Sequence, residues 1–123
     1  MKKVLVIDDD HLMLSILRII LRDFECVCTY VDNGKEALEH ISTSQYDVVL
    51  CDLMLPFASG LEIAEDYFKR YGFNENHLFI MITSFGNEEL AAAAKKIGID
   101  QFLNKPLDDR ILKNFLTAVL PKK

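Results

Sequence analysis

No apolar run in the chain approaches the roughly 20 residues that a membrane-spanning helix needs. The opening Met1-Lys2-Lys3 leads into an apolar segment too short for the core of a signal peptide. No membrane partner is expected, and the cytoplasm is the expected location. Positive charge is also in short supply. The formal net charge is −5, which argues against direct nucleic-acid binding, because neutralisation of phosphates drives that association. Only Lys122-Lys123 is locally basic. Cysteine is scarce: Cys26, Cys28 and Cys51 make an odd number in apolar, strand-like segments, where they read as small buried hydrophobes and not as a disulfide framework. Cys26-x-Cys28 has no second cysteine pair and no histidine at finger spacing, which argues against zinc. No internal repeat, low-complexity segment or linker is visible. The 123 residues, 50% hydrophobic and 27% charged, therefore read as one globular domain, 1–123, with a single substantial core.

What is present is an alternation of two periods. Short apolar runs at 4–7, 25–31, 48–51, 78–82 and 98–103 read as strands. The run Val48 to Cys51 is too short for a helix and rich in β-branched residues, as a fully buried parallel strand would be. Between the runs lie helical patterns. The first, about 11–24, has its core stripe at Met13, Ile16, Leu17, Ile20 and Phe24, and its polar side at Ser15, Arg18 and Arg22. Leu12, Leu14, Ile19 and Leu21 widen its apolar arc beyond one core face, implying either burial beneath loops or a docking surface for a helical partner. Asn33-Gly34-Lys35-Glu36 and Ser59-x-x-Glu62 have capping-box spacing for the second and third helices. The second helix would bury Ala37, Leu38 and Ile41. The third would bury Leu61, Ala64, Phe68 and Tyr71 and stop at Gly72. The fourth, about 87–97, contains four consecutive alanines; the last carries Leu107, Ile111, Phe115 and Val119 on one side and ends near Pro121. Five strands alternating with five helices imply an α/β fold: a doubly wound, five-stranded parallel sheet in the flavodoxin-like order 2-1-3-4-5.

Several strands end in polar residues. The first runs into Asp8-Asp9-Asp10, the third into Asp52, the fourth into Thr83-Ser84 and the fifth into Asn104-Lys105-Pro106. Asp10 is placed to cap the first helix, and His11 to face solvent at its start. Asp52 taken alone could equally be a cap. In the order 2-1-3-4-5, however, strands one and three are adjacent at the switch point, so Asp8, Asp9 and Asp52 converge there, with Thr83 and Lys105 arriving along the same edge. Clustered carboxylates repel unless a cation or proton is shared among them. An all-oxygen ligand set suits Mg²⁺, while Lys105 and Thr83 can hold an anion beside it. Phosphoryl transfer to a carboxylate uses this combination.

The motifs Val6-Ile7-Asp8-Asp9-Asp10, Asp32-Asn33-Gly34-Lys35-Glu36-Ala37-Leu38, Asp47-Val48-Val49-Leu50-Cys51-Asp52-Leu53-Met54-Leu55-Pro56, Gly60, Thr83-Ser84 and Lys105-Pro106 cover essentially the whole chain. Together they resemble the receiver domains of bacterial two-component response regulators, in particular single-domain, chemotaxis-regulator-like ones. The resemblance implies a phosphorylation-dependent signalling switch with no separate turnover substrate, catalysing its own phosphoryl transfer and dephosphorylation. Asp52 would accept a phosphoryl group from a sensor histidine kinase or histidine phosphotransfer protein. Asp9 and Asp52 would bind Mg²⁺ directly, Asp8 through water and Met54 through its carbonyl. Lys105 would pair with a phosphoryl oxygen, and its bond to Pro106 would be cis. Thr83 would move to the phosphoryl group and Phe102 would turn inward, altering the surface of helix four, strand five and helix five for a downstream protein target.

Some positions depart from the family pattern. Ser59 replaces a frequent acidic residue, and Phe102 lacks a hydroxyl with which to fix either of its states. Met54 and Phe85, two residues beyond Asp52 and Thr83, cannot orient an attacking water, which implies a long-lived phosphoryl group. Three rivals fit less well. An Asp-nucleophile phosphatase would need D-x-D-x-T where Leu12 breaks the pattern. A flavodoxin-type cofactor binder would have to seat phosphate among three acids. A degenerate, binding-only receiver would not need all five of Asp8, Asp9, Asp52, Thr83 and Lys105. A stand-alone receiver is the expectation.

Overall fold

The structure is a computed structural model that describes residues 1–84, 88–99 and 101–123. Five strands, β1 (Lys2–Ile7), β2 (Cys26–Val31), β3 (Val48–Asp52), β4 (Leu78–Thr83) and β5 (Gln101–Asn104), alternate with five helices. These are α1 (His11–Leu21), α2 (Gly34–Thr43), α3 (Gly60–Tyr71), α4 (Glu88–Ile97) and α5 (Asp109–Thr117). All strand pairings are parallel, in the order β2-β1-β3-β4-β5, as the alternation predicts.

Side chains alternate across each strand, so the sheet feeds two cores. On one face Leu5, Ile7, Val49, Cys51, Phe79 and Met81 meet α2, α3 and α4. On the other Val4, Val6, Val48, Leu50, Ile80 and Ile82 meet α1 and α5. All of β3 is buried because it lies at the centre of the sheet with helices on both sides. That explains its continuous apolar run, and it makes the polar residue at its end conspicuous.

The helix boundaries follow from caps. Asp10 accepts a hydrogen bond from the Leu12 N–H at 3.0 Å, Asn33 from Glu36, Ser59 from Glu62 and Asp108 from Arg110. Gly72 closes α3 at φ 71°, a left-handed conformation that a side chain would disfavour. Which face each helix buries was less well anticipated. In α1, Ile16 is half out of the core and Leu21 takes its place. The helix stops at Leu21, short of the expected Phe24, which is buried all the same. In α3 the deepest large side chains are Ile63 and Tyr67, with Phe68 and Tyr71 only half-buried. The Tyr67 hydroxyl donates to the Tyr46 carbonyl at 2.7 Å and that of Tyr71 to the Ile41 carbonyl, so both tyrosines can enter the core with their polar ends satisfied. Along α5 and the turn after it the buried line is Leu112, Leu116 and Leu120; Phe115 and Val119 flank it, and Ile111 is 47% exposed. Cys51 is buried, but Cys26 and Cys28 are only half-buried, because β2 is an edge strand. The expected start of helix four at Asn87 lies outside the described residues, as does Asp100 within the predicted fifth strand. The described strand there begins at Gln101.

Candidate functional site

The register of the sheet assembles the site. Ile7 of β1 pairs with Cys51 of β3, so the residues that follow, Asp8 and Asp52, emerge side by side; one strand further, Asp52 pairs with Ile82, placing Thr83 next in line. Thr83 in turn pairs with Asn104, and its carbonyl accepts the Lys105 N–H at 3.0 Å, which fixes the start of the lysine. The Lys105–Pro106 peptide is cis.

Asp8, Asp52 and Thr83 are the buried polar residues among those described, while Asp9 is exposed. One carboxylate oxygen from each of Asp8, Asp9 and Asp52 lies within 4.8 Å of the others. The Lys105 ammonium reaches between two of them, 3.0 Å from Asp8 Oδ2 and 3.4 Å from Asp52 Oδ2. The backbone holds the acids in place. The Asp8 N–H donates to the Val31 carbonyl at 3.1 Å, Asp8 Oδ1 accepts the Asp10 N–H at 2.9 Å, and Asp52 Oδ1 accepts the Met54 N–H at 3.3 Å.

The electrostatics are unbalanced. Burial holds the Asp8 carboxyl above its usual range, and the negative charge of Asp52 adds to that; the Asp10 N–H and Lys105 oppose both. Burial acts to lower Lys105, but the hydrogen bond and charge of Asp8, with the charge of Asp52, outweigh it and leave its pKa raised. One ammonium set against three carboxylates leaves surplus negative charge in a partly dry cleft. All-oxygen donors of this kind suit a hard divalent cation.

Two glycines, Gly34 and Gly60, which the sequence offers within a capping pattern, a loop and the family-like motifs, make close backbone contacts near the cleft. A Cβ on Gly60 would stand 2.5 Å from the Asp52 carbonyl oxygen, and one on Gly34 would stand 2.5 Å from that of Ala58. The Gly60 N–H donates to Leu53 O at 2.8 Å and the Gly34 N–H to Pro56 O at 2.9 Å, so α2 and α3 both hold the loop after Asp52. No periodicity in the sequence signals such contacts. In that loop Met54 is exposed, and Phe57 is 83% exposed at φ 74°. His11 faces solvent at the start of α1, as expected, and its Nε2 lies 3.0 Å from Asp32 Oδ2. Phe102 is half-buried and lines a groove with Pro106, Ile111 and Phe115. Phe85 lies outside the described residues.

The family described as the response regulator receiver domain matches residues 4–117. The chain belongs to this family. As a receiver it is a phosphorylation-dependent signalling domain. It is 31% identical over 119 residues to the chemotaxis protein CheY of Halobacterium salinarum, covering 97% of each chain. Among solved structures it is similar to a CheY-like receiver domain protein from Methanospirillum hungatei. That match has a TM-score of 0.85 at 25% identity and covers 95% of this chain and 91% of the other. The chemotaxis response regulator CheY4 of Vibrio cholerae gives 0.83 at 26% identity, covering 98% and 99%. Membership of this family sets aside the phosphatase and flavodoxin-type readings. No helix among the described residues is long and apolar enough to cross a membrane.

Proposed function

We propose that residues 1–123 form one receiver domain in which Asp52 is the phosphoacceptor. The observation that carries this reading is the convergence of Asp8, Asp9 and Asp52 around the Lys105 ammonium at the carboxyl edge of the sheet. An Asp52 carboxylate oxygen attacks the phosphorus of a phosphohistidine, the O–P bond forms as the N–P bond breaks, and the imidazole leaves. The acids, with the Met54 carbonyl, fit Mg²⁺, whose charge would screen the phosphoryl oxygens during transfer. Lys105 exchanges its carboxylate partner for a phosphoryl oxygen, and the Thr83 hydroxyl hydrogen-bonds another. Moving Thr83 opens room beside Phe102, which turns inward and alters the surface formed by α4, β5 and α5 for a downstream protein target.

The donor is a sensor histidine kinase or histidine phosphotransfer protein, acting in the cytoplasm. Its helices have a place to dock on α1, where Leu12 is 70% and Ile19 59% exposed, with Ile16 beside them. The chain catalyses its own dephosphorylation, slowly, because neither Met54 nor Phe85 can orient a water.

Beryllofluoride with Mg²⁺, a phosphoryl mimic that binds a carboxylate, tests the reading by amide NMR. Expected are shifts at Asp52, Thr83, Lys105 and Phe102 that extend into α4 and α5 and vanish in Asp52→Asn. No binding by folded protein would overturn the assignment of Asp52. Shifts confined to the acidic cluster would overturn the proposed output surface.

A further inference from the structure

Cys26 and Cys28 stand two residues apart on β2, so their side chains share one face of the strand, the face that packs toward α1. Their sulfurs are 3.5 Å apart. Tyr30 is the next residue on that face, and the Arg18 guanidinium lies 4.1 Å from the centre of its ring. Cys28 therefore lies between Cys26 and Tyr30 along that face, with the Arg18 guanidinium over the Tyr30 ring. The pair is half-buried and so within reach of small molecules. Among the described residues, it forms no cluster with further metal-ligating side chains.

From this geometry we infer that Cys26 and Cys28 form a reversible disulfide within β2 when the protein meets a peroxide. Cys28 is the nucleophile. Its thiol gives up its proton to water as the sulfur attacks one oxygen of hydrogen peroxide, the O–O bond breaks, and the departing hydroxide takes up an equivalent proton to leave as water, so that Cys28 becomes a sulfenic acid. The Cys26 sulfur then displaces the sulfenic hydroxyl, which leaves as a second water with the Cys26 proton. Two thiols lose two electrons and the peroxide gains them.

Burial, together with the hydrogen bond and charge of Cys28, pushes the Cys26 thiol up to about 12. A thiol raised in this way suits the second step, in which Cys26 is the resolving sulfur. Tyr30 is also raised, chiefly by burial, and keeps its hydroxyl proton. Alternate residues of a strand have Cα atoms roughly 6.6–6.8 Å apart, at the upper end of the range of about 4.4–6.8 Å that a disulfide spans. Closing the bridge must therefore pucker the strand. An edge strand can accept this, since β2 is hydrogen-bonded to β1 alone. Strain of this kind keeps the bond easily reduced.

The test treats the reduced full chain with hydrogen peroxide and reads intact mass, peptide masses and free thiols under denaturing conditions. The expected product is monomeric and lighter by two hydrogens. Its link is confined to the peptide holding Cys26 and Cys28, its titratable thiols fall from three to the single Cys51, and dithiothreitol reverses the change. In Cys26→Ser the reaction stops at a sulfenic acid on Cys28 that dimedone traps, while Cys28→Ser forms none at position 26. Wild type left unmodified, gaining oxygens at Cys26 or Cys28 without a bridge, or linking between chains would overturn the inference. So would dimedone labelling of Cys26 in Cys28→Ser, and far-ultraviolet circular dichroism of each variant checks that it is folded.

Discussion

At the scale of single residues, the candidate site is held by parts that differ in how visible they are in the sequence. Asp8, Asp52, Thr83 and Lys105 stand out together, because the strand order 2-1-3-4-5 brings polar strand ends to one edge, although Asp52 alone reads equally as a cap. The groups that seat them did not stand out. The Val31 carbonyl that anchors Asp8, the Asp10 N–H and the bare Cα of Gly60 are contacts made by backbone, which residue types do not spell out. Gly60→Ala should therefore cost about 1–3 kcal/mol, since its Cβ would meet the Asp52 carbonyl oxygen at 2.5 Å and Met81 Sδ at 2.8 Å. Urea denaturation measures this, and an unchanged midpoint would contradict the close packing. Asp9 is exposed and belongs to a cluster with surplus negative charge. In the presence of a chelator, Asp9→Asn should stabilise the fold by about 0.5–2 kcal/mol, the scale of surface-charge relief. The same variant should lose most of the Tm increase that Mg²⁺ gives the wild type, because a ligand bound only by the folded state stabilises it by mass action. Equal Mg²⁺ stabilisation of both proteins would remove Asp9 from the cation site.

At the scale of elements, strand and helix positions were legible from period and capping residues, whereas the buried face of each helix was legible only in part. Across α5 and the residues flanking it, Leu107, Ile111, Phe115 and Val119 make as regular a stripe in the sequence as the true core line of Leu112, Leu116 and Leu120. Apolar residues on both lines leave the choice to tertiary packing. Here β5 is short and lies at the sheet edge, and Ile111 lines an open groove beside it with Phe102, Pro106 and Phe115. Leu112→Ala should cost about 2–5 kcal/mol, and Ile111→Ala well under half of that. Equal losses by chemical denaturation would contradict the observed orientation. The exposed Leu12, Ile16 and Ile19 of α1 show the same ambiguity from the other side. The pattern signalled an excess of apolar residues, and the structure leaves that excess facing outward.

At the scale of the whole molecule, the order of the five strands followed from the strand and helix alternation, and the order in turn brought distant acids together. What the alternation could not show is how tightly the interior holds protons. Burial and Cys28 push the Cys26 thiol from 9.0 to about 12, and burial pushes the Tyr67 hydroxyl from 10.0 to about 12. Groups held protonated by the fold contribute stability that is fully present below their unfolded values and is lost as pH rises through the folded ones. Tm should accordingly fall progressively from about pH 9 upward, and a flat profile to about pH 11 would contradict the burial of these groups. The central claim, that the carboxylate at the end of β3 accepts a phosphoryl group, is tested most directly by intact mass after incubation with Mg²⁺ and acetyl phosphate. The account predicts one added phosphoryl group on the wild type, and none on Asp52→Asn or in the metal-free control. Phosphorylation that persists in Asp52→Asn, or a folded, Mg²⁺-binding wild type that beryllofluoride leaves unaltered and acetyl phosphate leaves unmodified, would contradict it.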